Sequence, residues 1–181
     1  MTRLAAVLAA LALLSVGCDS GGESSSSVTE TGPGIDTIAV DLPGPVVDTR
    51  SAILAAAAAG DYSQLGEVVE PEVFLSDYGF GKDPVGRWEQ RGSEPLEIMD
   101  ALLRMQPVVR ETNEGTLYEW PSLNPDSTAG DMTPAERELF LPFMSEEEVE
   151  MAIHPDYGYT APRLGILADG TWWFFVTDPG P

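Results

Sequence analysis

The stretch Arg163 to Val176, RLGILADGTWWFFV, reads as two strands joined at Asp169-Gly170. Asp-Gly suits a two-residue type I′ turn, whose twist matches that of the strands it joins. In that register Leu167 faces Trp172, Ile166 faces Trp173, Gly165 faces Phe174 and Leu164 faces Phe175. Side chains alternate along a strand, so Leu164, Ile166, Trp173 and Phe175 are expected on one face, and Leu167, Trp172, Phe174 and Val176 on the other. Both faces are apolar. Such a hairpin belongs inside a sheet covered on both sides, or covered on one side and lining an apolar pocket on the other.

Upstream, the pattern alternates helices and short strands. Asp48 or Thr49 can cap a helix from Arg50 to Ala59, with Gly60 as its left-handed stop. Asp61 caps a second helix, Tyr62 to Val69, with Gln64 completing a capping box, and Glu70-Pro71 ends it. Val73 to Tyr78 reads as a short strand. A short helix runs through Arg91, and Ser93 caps a longer one whose Leu96, Met99, Leu102 and Leu103 recur at helical spacing until Pro107. Val108 to Glu111 and Thr116 to Trp120 form a hairpin around Asn113-Glu114-Gly115. Asn124 to Asp131 is a polar loop. Thr133-Pro134-Ala135-Glu136 and Ser145 to Glu148 are capping boxes that open two short helices. The expectation is a single α+β domain over residues 46 to 181, with helices packed on a curved, mostly antiparallel sheet.

The amino terminus has a different character. Arg3 is followed by an apolar run from Leu4 to Leu14, then Ser15, Val16, Gly17 and Cys18. This is the n-region, h-region and small-residue cleavage site of a secretory signal. The run is shorter than the ~20 apolar residues of a membrane-spanning helix. Leu14-Ser15-Val16-Gly17-Cys18 resembles the lipobox of bacterial lipoproteins, with Ser15 where Leu is commonest. The resemblance implies that residues 1 to 17 are a signal peptide and that Cys18 carries palmitate-type acyl chains as the first mature residue. The protein would then be lipid-anchored at the cell membrane, facing outside the cytoplasm, in the periplasm or on the cell surface. Cys18 is the only cysteine, and lipidation would account for an unpaired thiol in an exported protein. Residues 18 to 45 are rich in Ser, Gly, Pro, Thr and acid and are expected to be a disordered linker. Its rms reach as a flexible coil is roughly 30 Å.

Composition narrows the partners. Nine Lys and Arg stand against 30 Asp and Glu, a formal charge of −21. Phosphate recognition rests on clustered Lys and Arg, so no nucleic-acid partner is expected. The same sign repels anionic lipid, which leaves the anchor at Cys18 as the route to the membrane. The expected partners are a small apolar ligand or an envelope protein.

The order of elements, including the Ala-rich opening AAAAAGDYSQL, resembles the nuclear transport factor 2-like (NTF2-like, or SnoaL-like) fold over residues 48 to 177. That resemblance implies a curved sheet wrapped around a long helix and a cone-shaped cavity. The helices between Thr133 and Ile153 depart from its usual plan. Tyr118-Glu119-Trp120-Pro121 and the Gly165 to Trp172 segment are similar to features recurrent in a family of exported bacterial proteins, and imply no chemistry.

Catalytic motifs are scarce. There is no GxSxG, HExxH, Gly-rich phosphate loop or CxxC, so no catalytic residue, metal ligand or cofactor is assigned. His154, the only histidine, lies near Asp156, Tyr157 and Tyr159. A histidine just beyond a helix is ordinarily a surface or end-capping residue. Asp126, Thr128 and Asp131 have oxygens that suit calcium but lack the EF-hand pattern. Glu146, Glu147, Glu148 and Glu150 fit a helix start, where negative charge favours the dipole. A row of Trp88, Trp120 and Trp172 would suit carbohydrate only if exposed, and core packing is expected for most of them. Trp172, Trp173, Trp120 and Tyr118 are the expected pocket or binding residues. The leading expectation is a noncatalytic binding or interaction module. The alternative is an envelope hydrolase or isomerase using a carboxylate, with or without His154.

Overall fold

The computed structural model describes residues 40–77, 79–80, 82–123, 127, 131–154, 156 and 158–177. Cys18, the signal segment and most of the linker lie outside them, as do Asp126, Thr128 and Tyr157. Among the described residues no helix is long and apolar enough to cross a membrane.

The architecture is mixed α+β. Helix α1 spans Gly44–Ala59, α2 Tyr62–Leu65, α3 Val85–Gln90, α4 Glu94–Arg104, α5 Pro134–Phe140 and α6 Glu146–Met151. A six-stranded sheet is built from β1 (Leu75–Ser76), β2 (Gly79–Phe80), β3 (Val108–Thr112), β4 (Gly115–Trp120), β7 (Arg163–Leu167) and β8 (Trp172–Val176), in the order β2-β1-β8-β7-β4-β3. Every pairing is antiparallel except β1 with β8. Between α6 and β7, β5 (Ile153–His154) and β6 (Gly158–Tyr159) form a separate antiparallel pair.

Helix α1 starts at Gly44, upstream of the expected start at Arg50 and of the expected domain boundary at residue 46. Pro43 sits at its N-cap and Pro45 in its first turn. Proline there sacrifices an N–H that has no helical partner anyway, and its fixed φ suits the helix. These two prolines open the helix, and Val40 and Leu42 pack against the core just before it. At the other end Gly60 adopts φ 65°, and the N–H of Asp61 donates to Ala56 O at 3.0 Å, the left-handed stop expected there.

The caps follow the sequence in part: Ser93 stands at the N-cap of α4 without a side-chain cap hydrogen bond, and the Gln64 side chain donates to the Asp61 carboxylate at 2.9 Å without a capping box being formed. Ser63 N donates to Asp61 Oδ1 at 2.9 Å, although α2 ends at Leu65 rather than Val69. Thr133 Oγ1 accepts from Glu136 N while Glu136 Oε2 accepts from Thr133 N, and Ser145 and Glu148 repeat this exchange. Ser145 pulls the Glu148 carboxyl below its ordinary pKa by these same hydrogen bonds. Of the expected strand from Val73 to Tyr78, Leu75–Ser76 form β1 while Val73 and Phe74 do not, and Tyr78 lies outside the described residues.

The terminal hairpin forms, but in a different register. Gly165 pairs with Phe174, Leu164 with Phe175 and Arg163 with Val176, as expected. Beyond Gly165 the register shifts, and Ile166 pairs with Trp172 instead of Trp173. The turn is longer than two residues: Gly170 N donates to Leu167 O at 2.9 Å, and Leu167 N donates to Thr171 O at 2.9 Å. Gly170, at φ 95°, takes the positive-φ position that such a loop demands. Trp173 is thereby left as the extra residue of a β-bulge, which breaks the alternation of faces.

The bulge exchanges the two tryptophans. Leu164, Ile166, Trp172 and Phe175 share the helix side with Tyr118 and Trp120 of β4, and all belong to the main core. Trp172 is 1% exposed. It stacks on Trp88 of α3 at 5.8 Å between ring centroids and meets Phe74 edge-on at 5.0 Å. Its indole N–H donates to Phe174 O at 3.1 Å, satisfying the polar end of a buried ring. Ile53 of α1 and Met99, Leu102 and Leu103 of α4 complete this side. Each fully buried large apolar side chain contributes ~1.5–3 kcal/mol relative to exposure.

Candidate functional site

Among the described residues, no helix residue lines the recess on the opposite side of the sheet. A cavity of about 260 Å³ there is lined, among the described residues, by strand residues that include Leu75, Leu117, Glu119, Arg163, Trp173 and Phe174. Its position follows from register. Leu117 faces Leu167, Glu119 faces Gly165, Gly165 faces Phe174, and Leu75 faces Phe174, so their side chains share one face. The bulge adds Trp173 to that face, 5.9 Å between centroids from the ring of Phe174. Gly165 matters here by what it lacks. A Cβ at that position would lie 2.3 Å from Phe174 Cε1, so the Phe174 ring lies across the bare backbone of β7.

Glu119 is the polar centre of this apolar face and is only 4% exposed. A buried carboxylate is costly unless paired. Arg110 of β3 supplies the closer partner, with Nε 2.9 Å from Glu119 Oε2, a charge contact whose N–H is not aligned as a hydrogen bond. Arg163 of β7 approaches Glu119 Oε1 with Nη1 at 3.5 Å. Two guanidinium groups thus share one carboxylate. Arg110 Nη2 and Arg163 Nε are shielded from solvent and have no hydrogen-bond partner among the described residues.

The four residues expected at a pocket are therefore divided. Trp173 lines the recess, whereas Trp172, Trp120 and Tyr118 lie in the helix-side core. Trp88, Trp120 and Trp172 are all buried, so they form no exposed row. His154 stands apart on β5, half-buried, with Nδ1 accepting from Asp156 N at 3.1 Å. It does not line the recess that holds Glu119. Tyr159 faces Ile153 on the paired strand, and its hydroxyl donates to Pro162 O at 2.9 Å. Burial pushes that phenol well above its ordinary pKa, which suits a core residue rather than a proton donor.

Sequence reading missed Arg110, Glu119, Arg163 and Phe174 as a group. One signal was present: in Leu117-Tyr118-Glu119-Trp120 an acid interrupts an apolar strand, and a buried acid needs a cation from a neighbouring strand. A larger recess of about 450 Å³ lies among α1, α4 and α5, but Glu97, Asp100, Arg104 and Glu138 rim it, and Asp100 and Arg104 pair with each other at 2.7 Å. The open sheet face is the site where aromatic surface and a shared charge meet. No known protein family, curated protein or solved structure matches the chain, so the chemistry of this face is read from its own residues.

Proposed function

We propose that this chain is a lipoprotein, anchored outside the cytoplasm through lipid on Cys18, whose folded domain is a noncatalytic binding module working through the open face of the sheet. The export signal and the lipobox-like Leu14 to Cys18 support the address. The observation that carries the molecular reading is the bulge at Trp173. It moves one large ring out of the core alternation and sets it beside Phe174 over a recess, where an apolar ligand or an envelope protein gains contact area. The reading keeps the NTF2-like resemblance, which the mixed order of helices and strands supports, as do α1 and α4 against β7.

The charged groups favour binding over turnover. Glu119 is occupied by Arg110 and Arg163, and His154 is not among the residues that line the recess. Two experiments test the reading. Cys18→Ala should abolish incorporation of radiolabelled palmitate and release the chain from membranes, and unchanged membrane retention would refute the anchor. A neutral alkyl alcohol bearing a diazirine should photolabel the peptide containing Trp173 and Phe174 in the full-length protein, and Trp173→Ala should weaken that labelling. A measurable turnover that disappears in His154→Ala, with an unchanged melting curve, would overturn the module in favour of an enzyme.

A further inference from the structure

We infer that the recess on the open face takes a free, single-chain amphiphile carrying one carboxylate, with the carboxylate at Arg163 and the apolar body across Trp173 and Phe174. The inference rests on the binding reading above and adds the ligand's chemical class. Charge is the first argument. The chain carries −21 overall, yet this face brings two guanidinium groups to one carboxylate. The local surplus is a single positive charge, which matches a monoanion.

The two arginines are not equivalent. Arg110 makes the shorter charge contact with Glu119, at 2.9 Å, and is not among the recess-lining residues, whereas Arg163 holds Glu119 only by a long hydrogen bond of 3.5 Å. Arg163 also lines the recess, and its Nε has no hydrogen-bond partner among the described residues. A shielded guanidinium N–H without an acceptor is costly, and a carboxylate suits the planar fork of arginine. Arg110 also has unmet donors, Nε and Nη2, but of the two arginines only Arg163 lines the recess, so that is where a ligand carboxylate can meet the surplus charge.

Shape supplies the body of the ligand. From Arg163 the face continues into Leu117, Phe174, Trp173 and Leu75, all apolar. At about 260 Å³ the recess falls just below the ~300–1,000 Å³ of ordinary ligand pockets. One medium-length chain fits that space, and a two-chain lipid does not.

The test uses the full-length protein in nanodiscs and a matched pair of probes: a diazirine-bearing medium-chain carboxylate and the corresponding alcohol. Labelling is mapped by mass spectrometry to the peptide spanning Arg163 to Val176. The carboxylate should label this peptide about tenfold more efficiently than the alcohol, the size of one hydrogen bond to a charged group. Raising the salt concentration should shrink the preference, because Arg163 is partly exposed. Arg163→Gln should abolish the preference while leaving alcohol labelling in place, and Arg163→Lys should retain part of it and guard against a folding artefact. Equal labelling by the two probes in the unmodified protein, or a preference that survives Arg163→Gln, overturns the inference and leaves the binding module standing. Absence of labelling by either probe overturns both.

Discussion

On the helix side of the β7–β8 hairpin, Leu164, Ile166, Trp172 and Phe175 lie in one core with Trp88 and the buried faces of α1 and α4. On the other side Trp173 and Phe174 are half-buried around a recess also lined by Glu119 and Arg163. The two sides draw on neighbouring residues of one strand with nearly the same hydropathy. What separates them is one bulged residue and, among the described residues, the helices that pack on one side. Apolar content alone therefore does not distinguish a core from a binding surface, and substitutions on the two sides should diverge.

The largest effect is expected from Trp172→Ala, which removes a fully buried ring packed on Trp88 and Phe74. It should cost about 3–5 kcal/mol, read as a lower urea midpoint at unchanged slope. A loss below about 1 kcal/mol would erase the contrast between the faces. Glu119→Ala should cost about 1–3 kcal/mol, because it leaves the guanidinium groups of Arg110 and Arg163 side by side without their shared acid. That loss should diminish in high salt, since both arginines are about a third exposed, at 34% and 28%. A salt-independent loss would mean that Glu119 acts mainly through packing.

Gly165→Ala sharpens the comparison at a single atom. The new Cβ must displace the Phe174 ring, but that ring borders solvent and can swing aside. Stability should fall by about 1 kcal/mol, the low end for overpacking, while photolabelling of the open face drops steeply. The smallest effect is expected from Trp173→Ala, under about 1 kcal/mol by chemical denaturation. If Trp173→Ala proved as damaging as Trp172→Ala, the bulge would not separate the two faces.

Where structure is decided within a few residues, the sequence was legible. The capping boxes at Thr133 and Ser145, the N-cap at Asp61 without the box expected from Gln64, the Gly60 stop and the apolar stripe of α4 formed, because each is a local exchange of hydrogen bonds or a simple period. The misreadings lie where distant segments decide. Asp169-Gly170 looked sufficient for a two-residue turn, but the preceding Ala168 joins the loop, and the turn meets the start of α1 in space. The start of α1 was hidden because Pro43 and Pro45 have the same composition as the linker before them. The Arg110–Glu119–Arg163 group was invisible for a similar reason: its members come from three strands, and only the pairing of β3, β4 and β7 brings them together. Of the expected binding residues, Trp173 reached the recess because of an irregularity that no periodic reading anticipates.

Thr49 Oγ1 of α1 donates to Gly170 O at 2.6 Å, and a Cβ on Gly170 would come within 3.0 Å of Pro45. The consequence is mechanical. Tension applied to the chain upstream of α1 arrives at the first turn of that helix, where it meets the hairpin loop directly. The load passes to β7 and β8, which are interior strands of the sheet. It does not fall first on β2 or β3, the edge strands that peel away one hydrogen bond at a time. A domain held by its amino-terminal end is in this way gripped near the middle of its sheet.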